Sequence, residues 1–326
     1  MDTLPLKFVD SVVELFGKET LDQMATEVRH PKWKDVVDLH YRNRVYYEIF
    51  FRLTEDGMQH YFQDVNTKRD FLVNTQIAQK DRRFARIYGF KDVTTFSTLS
   101  YWEEVEPLGE VETDKLLNNI SPLIDQVSGC FHSIWGSTDC AKVLLSSLFK
   151  KVYLRQITLT YCGQIAYDFL EDQINNSSFL DYVLISGHDW PQSSLDLLKK
   201  FCLRERPGNH VRVYVSGTNV VIDSSHIKHL LDLWKTNGNL NFLFKCVGYR
   251  SDKDYEAVMK KYEVLEIRND SWETFFKHPT AKSIARVSNS KFVMEWFAVE
   301  CFTCECDRSK KCLLKEQYPQ YHNLWP

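Results

Sequence analysis

A short apolar run that ends in glycine recurs five times between residues 130 and 248. The runs are CFHSIWG, ITLTYCG, YVLISG, VRVYVSG and LNFLFKCVG, closing at Gly136, Gly163, Gly187, Gly217 and Gly248. Between them lie the amphipathic segments AKVLLSSLFKKV, QIAYDFLEDQI, SSLDLLKKFCL and SSHIKHLLDLWK. Strands of period two alternating with helices of period 3.6 predict an α/β fold with parallel strands. A further helix, DKDYEAVMKKY, is expected to lead to a sixth strand at EVLEI.

The glycines are 27, 24, 30 and 31 residues apart, which suggests stacked repeats rather than one wound sheet. Leu154-x-x-Ile157-x-Leu159-x-x-Cys162 fits the leucine-rich pattern, and Leu180-x-x-Val183-x-Ile185 fits all but its last position. The x-L-x-L-x core turns two large apolar side chains inward and three outward. A doubly wound sheet has similar spacing and is the competing architecture. No G-x-G-x-x-G or G-x-x-x-x-G-K-[ST] accompanies the glycines, so they lack the companions that phosphate binding needs.

Upstream, the period changes twice. Residues 4 to 42 read as three helices, with Phe8, Val9, Val12, Val13 and Phe16 forming one apolar face. VYYEIFFRL, TEDG and MQHYFQDV then read as a hairpin turning at Thr54–Gly57. Further short strands are expected at FLV after Asn66, at Phe84–Tyr88 and at Thr98–Trp102. The predicted organisation is residues 1–44 as a helical unit and 45–110 as a small β segment. Residues 111–326 then form the strand–helix domain with a C-terminal extension.

A net charge of −3 with scattered basic residues predicts no nucleic-acid or membrane partner. The N-terminus lacks the basic and apolar regions of a signal peptide, and no window approaches 18 apolar residues. Nine cysteines without an export signal point to reduced thiols in the cytosol or nucleus.

Cys301, Cys304, Cys306 and Cys312 are the sharpest chemical candidate, because four thiolates can hold zinc tetrahedrally. Only the first pair has metal-like spacing. Cys304 and Cys306 would share one face of a strand-like run, and packing suits them equally. The expectation is therefore no metal and no cofactor. His226 and His229 lie three apart on a helix with no carboxylate between them of the H-E-x-x-H kind. Asp189 beside His188 follows a strand without a serine elbow, so no catalytic residues are expected.

The first forty residues resemble a divergent F-box: Leu4-Pro5, an amphipathic helix over Phe8 to Phe16, and Trp33 close to the family's closing position. The order that follows looks like the large F-box-related families expanded in nematodes. The resemblance implies a non-catalytic substrate receptor that docks on a Skp-type adaptor of a cullin–RING ubiquitin ligase and holds a protein target. Leu4, Pro5, Val9, Val12, Val13, Phe16, Leu21 and Trp33 would be its docking and core set. Outward strand positions would line the recognition face: Arg155, Thr158, Tyr161, Tyr182, Leu184, Arg212, Tyr214, Asn241 and Leu243. Two alternatives remain open: an interaction scaffold that has lost ligase docking, and an enzyme on an α/β sheet with a concave pocket at the strands' C-terminal ends.

Overall fold

The computed structural model describes residues 5–67, 83–96, 100–204, 210–248, 266–268, 271–290, 296–307 and 312–324. The chain divides into two compact units, Met1–Leu180 and Asp181–Pro326. The division falls inside the expected run of repeats.

The first unit opens with α1 (Leu6–Glu14), α2 (Lys18–Glu27) and α3 (Pro31–Asn43). Val9, Val13, Leu21, Val36 and Val37 form their common core, with Phe16, Met24, Ala25 and Trp33 packed against it. Each helix is short and gains its stability from this shared core rather than from propensity. Arg44, itself buried, closes the unit. Its guanidinium donates to the carbonyls of Val13 (2.8 Å), Glu14 (2.9 Å) and Phe16, at and just beyond the C-terminus of α1, where helix carbonyls run short of backbone donors.

The hairpin forms as expected, with β1 (Val45–Thr54) antiparallel to β2 (Gly57–Asp64) and Thr54 opposite Gly57. Then come β3 (Ala85–Asp92), α4 (Glu110–Ile120), β4 (Cys130–His132), α5 (Thr138–Leu148), β5 (Gln156–Thr160) and α6 (Gln164–Asn176). The strand order is β2-β1-β3-β4-β5, with β1, β3, β4 and β5 parallel. Phe90, Phe131 and Ile157 lie side by side on one buried face. The segment expected as a strand at Thr98–Trp102 is instead a 3-10 turn over Ser100–Glu104 among its described residues. There Trp102 packs its ring on Tyr61 at 4.9 Å. The FLV strand falls outside the described residues.

The second unit contains β6 (Tyr182–Ser186), α7 (Ser194–Cys202), β7 (Val211–Ser216), α8 (Ser224–Asn237) and β8 (Phe242–Val247). After these come β9 (Glu266–Arg268), β10 (Ser271–Lys277), β11 (Ser283–Ser290), β12 (Trp296–Thr303), α9 (Leu313–Gln317) and α10 (Pro319–His322). Its strand order is β6-β7-β8-β12-β11-β10-β9. β6, β7 and β8 are parallel and follow chain order; the other four are antiparallel. The sixth strand does not extend the parallel series. β12 occupies the place beside β8, and Glu266–Arg268 pairs with β10 at the far edge. The helix expected over 252–262 falls outside the described residues.

Four of the five strand-ending glycines have positive φ: Gly163 (105°), Gly187 (83°), Gly217 (60°) and Gly248 (84°). The chain leaves each strand through a backbone conformation that costs glycine no side-chain clash. Gly136 is required for space instead, since a Cβ there would lie 1.9 Å from the Asp92 carboxylate.

Burial pushes the imidazoles of His60, His132 and His210 down to about 4, so all three are neutral at pH 7. The unfolded chain takes up these protons near the ordinary value of 6.5, and the folded chain does not until about 4. Their contribution is complete above the unfolded value and is lost as pH falls through that window. The urea midpoint of the full chain is expected to drop between about pH 7 and about pH 5. An unchanged or higher midpoint at the lower pH contradicts this assignment.

Candidate functional site

Alternation along β6, β7 and β8 produces two different surfaces. Val183, Ile185, Val213, Val215, Phe242 and Phe244 are buried on one side. α7 packs on β7 and β8, and α8 packs on β12. The intervening Tyr182, Leu184, Arg212, Tyr214, Leu243 and Lys245 point the other way and are only half-buried.

Strand register places these residues in rows. Tyr182 lies opposite Arg212, Arg212 opposite Leu243, and Leu243 opposite Glu300. Leu184, Tyr214 and Lys245 form the next row. The Arg212 guanidinium sits over the Tyr182 ring, 5.2 Å from its centroid, and 3.6 Å from the Asp181 carboxylate. The Tyr182 and Tyr214 rings are 5.3 Å apart. Burial and the neighbouring Tyr214 raise the Tyr182 phenol above its ordinary value, so its hydroxyl stays protonated. Lys245 lies over the Trp296 ring at 4.4 Å. Further along, Arg286 bridges Glu273 (2.8 Å) and Glu300 (2.6 Å). Burial opposes its charge, but Tyr318 and these carboxylates raise the guanidinium's pKa further. The surface thus offers aromatic faces, a positioned guanidinium and alternating charges, the composition of protein-recognition surfaces.

The other expected recognition residues lie elsewhere. Arg155 reaches Glu19 of α2 at 3.0 Å. Thr158 is buried beside His132 at 3.2 Å, and Tyr161 is half-buried. All three belong to the first unit. Asn241 is buried and holds the C-terminal extension, donating to Glu305 (2.9 Å) and accepting from the Thr303 amide (2.7 Å).

Of the F-box-like set, Val9, Val13 and Leu21 lie inside the three-helix core. Val12, Phe16 and Trp33 are half-buried and Pro5 is exposed, while Leu4 falls outside the described residues. Phe8, expected on the apolar face of the first helix, is more than half exposed, as are Leu6 and Leu15 on and beside α1. Phe8 and Leu15 share one side of the helical wheel, away from the Val9–Val13 stripe, whereas Leu6 falls on the stripe's own side at the first turn.

The cysteines are arranged differently from the expected quartet. Cys301 is inside β12 and fully buried, facing the helix-covered side opposite Phe242. Burial raises its thiol well above the ordinary range. β12 ends at Thr303, so Cys304 and Cys306 are not in a strand. They converge instead with Cys312 and His322, all four ligand atoms lying within 4.8 Å of one another. His322 was not anticipated, because it lies ten residues beyond Cys312 and two short helices intervene.

The first unit also contains an open cleft of about 700 Å³ at Gly57, Lys142, Cys162 and Gly163. Burial pushes the Cys162 thiol up to about 11, away from the thiolate a nucleophile needs. His226 is bound to Asp223 at 2.8 Å at the start of α8, where Asp223 caps the helix, while His229 is exposed. Trp190 and Trp234 are buried and donate to the Ser186 carbonyl (2.7 Å) and the Ser283 hydroxyl (2.8 Å). Among the described residues, no helix is long and apolar enough to cross a membrane.

Comparison with protein-family models, curated proteins and solved structures gives no match.

The two surfaces of the second unit predict opposite mutational responses. Tyr182→Ala and Tyr214→Ala are each expected to lower stability by no more than about 1.5 kcal/mol. Phe244→Ala is expected to cost about 3 to 5 kcal/mol, because it opens a cavity under the helices. Urea unfolding of the full chain measures both. Equal costs would mean that the tyrosines serve packing rather than display.

Proposed function

We propose that the chain is a non-catalytic protein-binding adaptor, an F-box-like substrate receptor that links a protein target to a Skp–cullin–RING ubiquitin ligase. The half-exposed rows of Tyr182, Leu184, Arg212, Tyr214 and Leu243 carry the reading. Tyrosine contributes a large contact area at low entropic cost, and Arg212, whose free side chain would lose more on ordering, is already stacked on Tyr182. The rigid strands beneath hold these side chains in place before a partner arrives. On the N-terminal unit, exposed Phe8 and Leu15 share one side of α1, the apolar surface that an adaptor would cover.

A second reading, an interaction scaffold without ligase docking, draws support from the same unit. Val9, Val13 and Leu21 are already satisfied by the intramolecular core and have no surface left to offer.

Binding of a purified Skp-type adaptor separates the two. The receptor reading expects a stable complex that Phe8→Asp with Leu15→Asp weakens by at least about tenfold, roughly 1.4 kcal/mol. Tyr182→Ala with Tyr214→Ala is expected to leave that complex intact and to lose the protein target. No complex with the unaltered chain would exclude the ligase reading and leave the scaffold.

A further inference from the structure

The C-terminal extension contains a cluster that the recognition surface does not use. The Nε2 atom of His322 lies 3.4 Å from the Cys304 sulfur and 3.3 Å from the Cys306 sulfur. The Cys312 and Cys304 sulfurs are 4.0 Å apart. A tetrahedral zinc ion with bonds of about 2.3 Å to sulfur and about 2.0 Å to nitrogen sets S···S at about 3.8 Å and S···N at about 3.5 Å. Three edges of the cluster match these values, the others lie within 4.8 Å, and the donor set is that of a Cys3His zinc site.

We infer that Cys304, Cys306, Cys312 and His322 bind one zinc ion in a closed, four-ligand structural site. On binding, the three thiols release their protons to solvent and His322 coordinates through Nε2 in its neutral form. With all four positions filled by protein there is no open position for water or substrate, so the ion is structural rather than catalytic.

Two features beyond the ligands fit this assignment. The other ring nitrogen of His322, Nδ1, faces the Asn323 side-chain oxygen at 3.4 Å, leaving Nε2 as the ligand atom. The Glu305 amide donates to the Cys312 sulfur at 3.5 Å, which stabilises negative charge on it.

The surroundings show what the ion would accomplish. α9 has five residues and α10 has four, too short to persist alone. Their aromatic contacts are with the sheet: Tyr321 stacks on Phe275 at 4.6 Å, and Tyr318 packs against Phe302 at 5.0 Å. Leu314 is buried with Phe302 and Ile284. Zinc would tie the end of this segment to Cys304, immediately after β12, closing a loop. The segment lies beside Arg286, so the ion would fix one border of the half-exposed surface of the second unit.

The test is zinc analysis of the full-length chain, produced with zinc in the medium and passed through a desalting column. About one equivalent is expected, falling at least about tenfold in Cys306→Ala and His322→Ala, the exposed and the terminal ligand. Replacing the ion with cobalt is expected to give the visible bands of a tetrahedral site with thiolate-to-metal charge transfer, a readout that needs no variant. Less than about a tenth of an equivalent in the unaltered chain overturns the inference. So does zinc retained undiminished in both variants, octahedral cobalt spectra, or a Cys304–Cys312 disulfide in the protein as purified under reducing conditions.

Discussion

A parallel strand cannot return to its neighbour through a tight hairpin; it must cross over, and a helix makes the crossing. When strands are added in chain order with crossovers of one hand, those helices fall on the same side of the sheet. This constraint shapes β6, β7 and β8 of the second unit and β3, β4 and β5 of the first. In the second unit it leaves one side packed with Val183, Val213 and Phe244 and the other side carrying Tyr182, Arg212 and Tyr214. Each fully buried Val or Phe contributes about 1.5 to 3 kcal/mol, so the apolar side holds the unit together. The other side is thereby relieved of holding the core.

The antiparallel strands β10, β11 and β12 finish what the parallel series begins. β12 extends the packed side through Phe297, Val299 and Cys301, opposite Cys246, Phe244 and Phe242. It also extends the other side through Glu300, which Arg286 ties to Glu273. Phe302 and Ile284 on that second side are then covered by the C-terminal extension. The same alternation that opens the surface at Tyr182 and Tyr214 therefore closes it at Phe302, and the cysteine–histidine cluster sits where the covering segment begins and ends.

Much of the parallel architecture was legible because its signal is local. A strand of period two, a glycine at positive φ and an amphipathic helix each leave a mark within a few residues, as at Leu180 to Gly187. The hairpin at Thr54–Gly57 is legible for the same reason. The antiparallel strands β10 and β11 were not anticipated. In ITLTYCG or YVLISG a glycine marks the end of the strand, whereas SWETFFK and SIARVSNS have no such terminator and mix polar residues on both sides. Their positions depend on pairing with β12 and with each other, which is not a local property. The cysteine–histidine cluster was half legible. Cys304, Cys306 and Cys312 stand out as near neighbours in the chain, but the one metal-like pair, Cys301 and Cys304, is split because Cys301 is drawn into the core. His322 joins only through the three-dimensional course of α9 and α10. The F-box-like stripe shows another limit: Val9 and Val13 satisfy a helical pattern, yet the same spacing serves an intramolecular core as well as a docking face.

The central claim is that one side of the second unit's sheet is packed and the other displayed. Hydroxyl-radical footprinting of the full chain, read residue by residue, tests it most directly. Tyr182, Leu184, Tyr214 and Leu243 are expected to be modified at least about tenfold faster than residues of similar intrinsic reactivity on the packed side, such as Ile185 and Phe244. Equal protection of the two sets would show that both sides are covered, and would contradict the account.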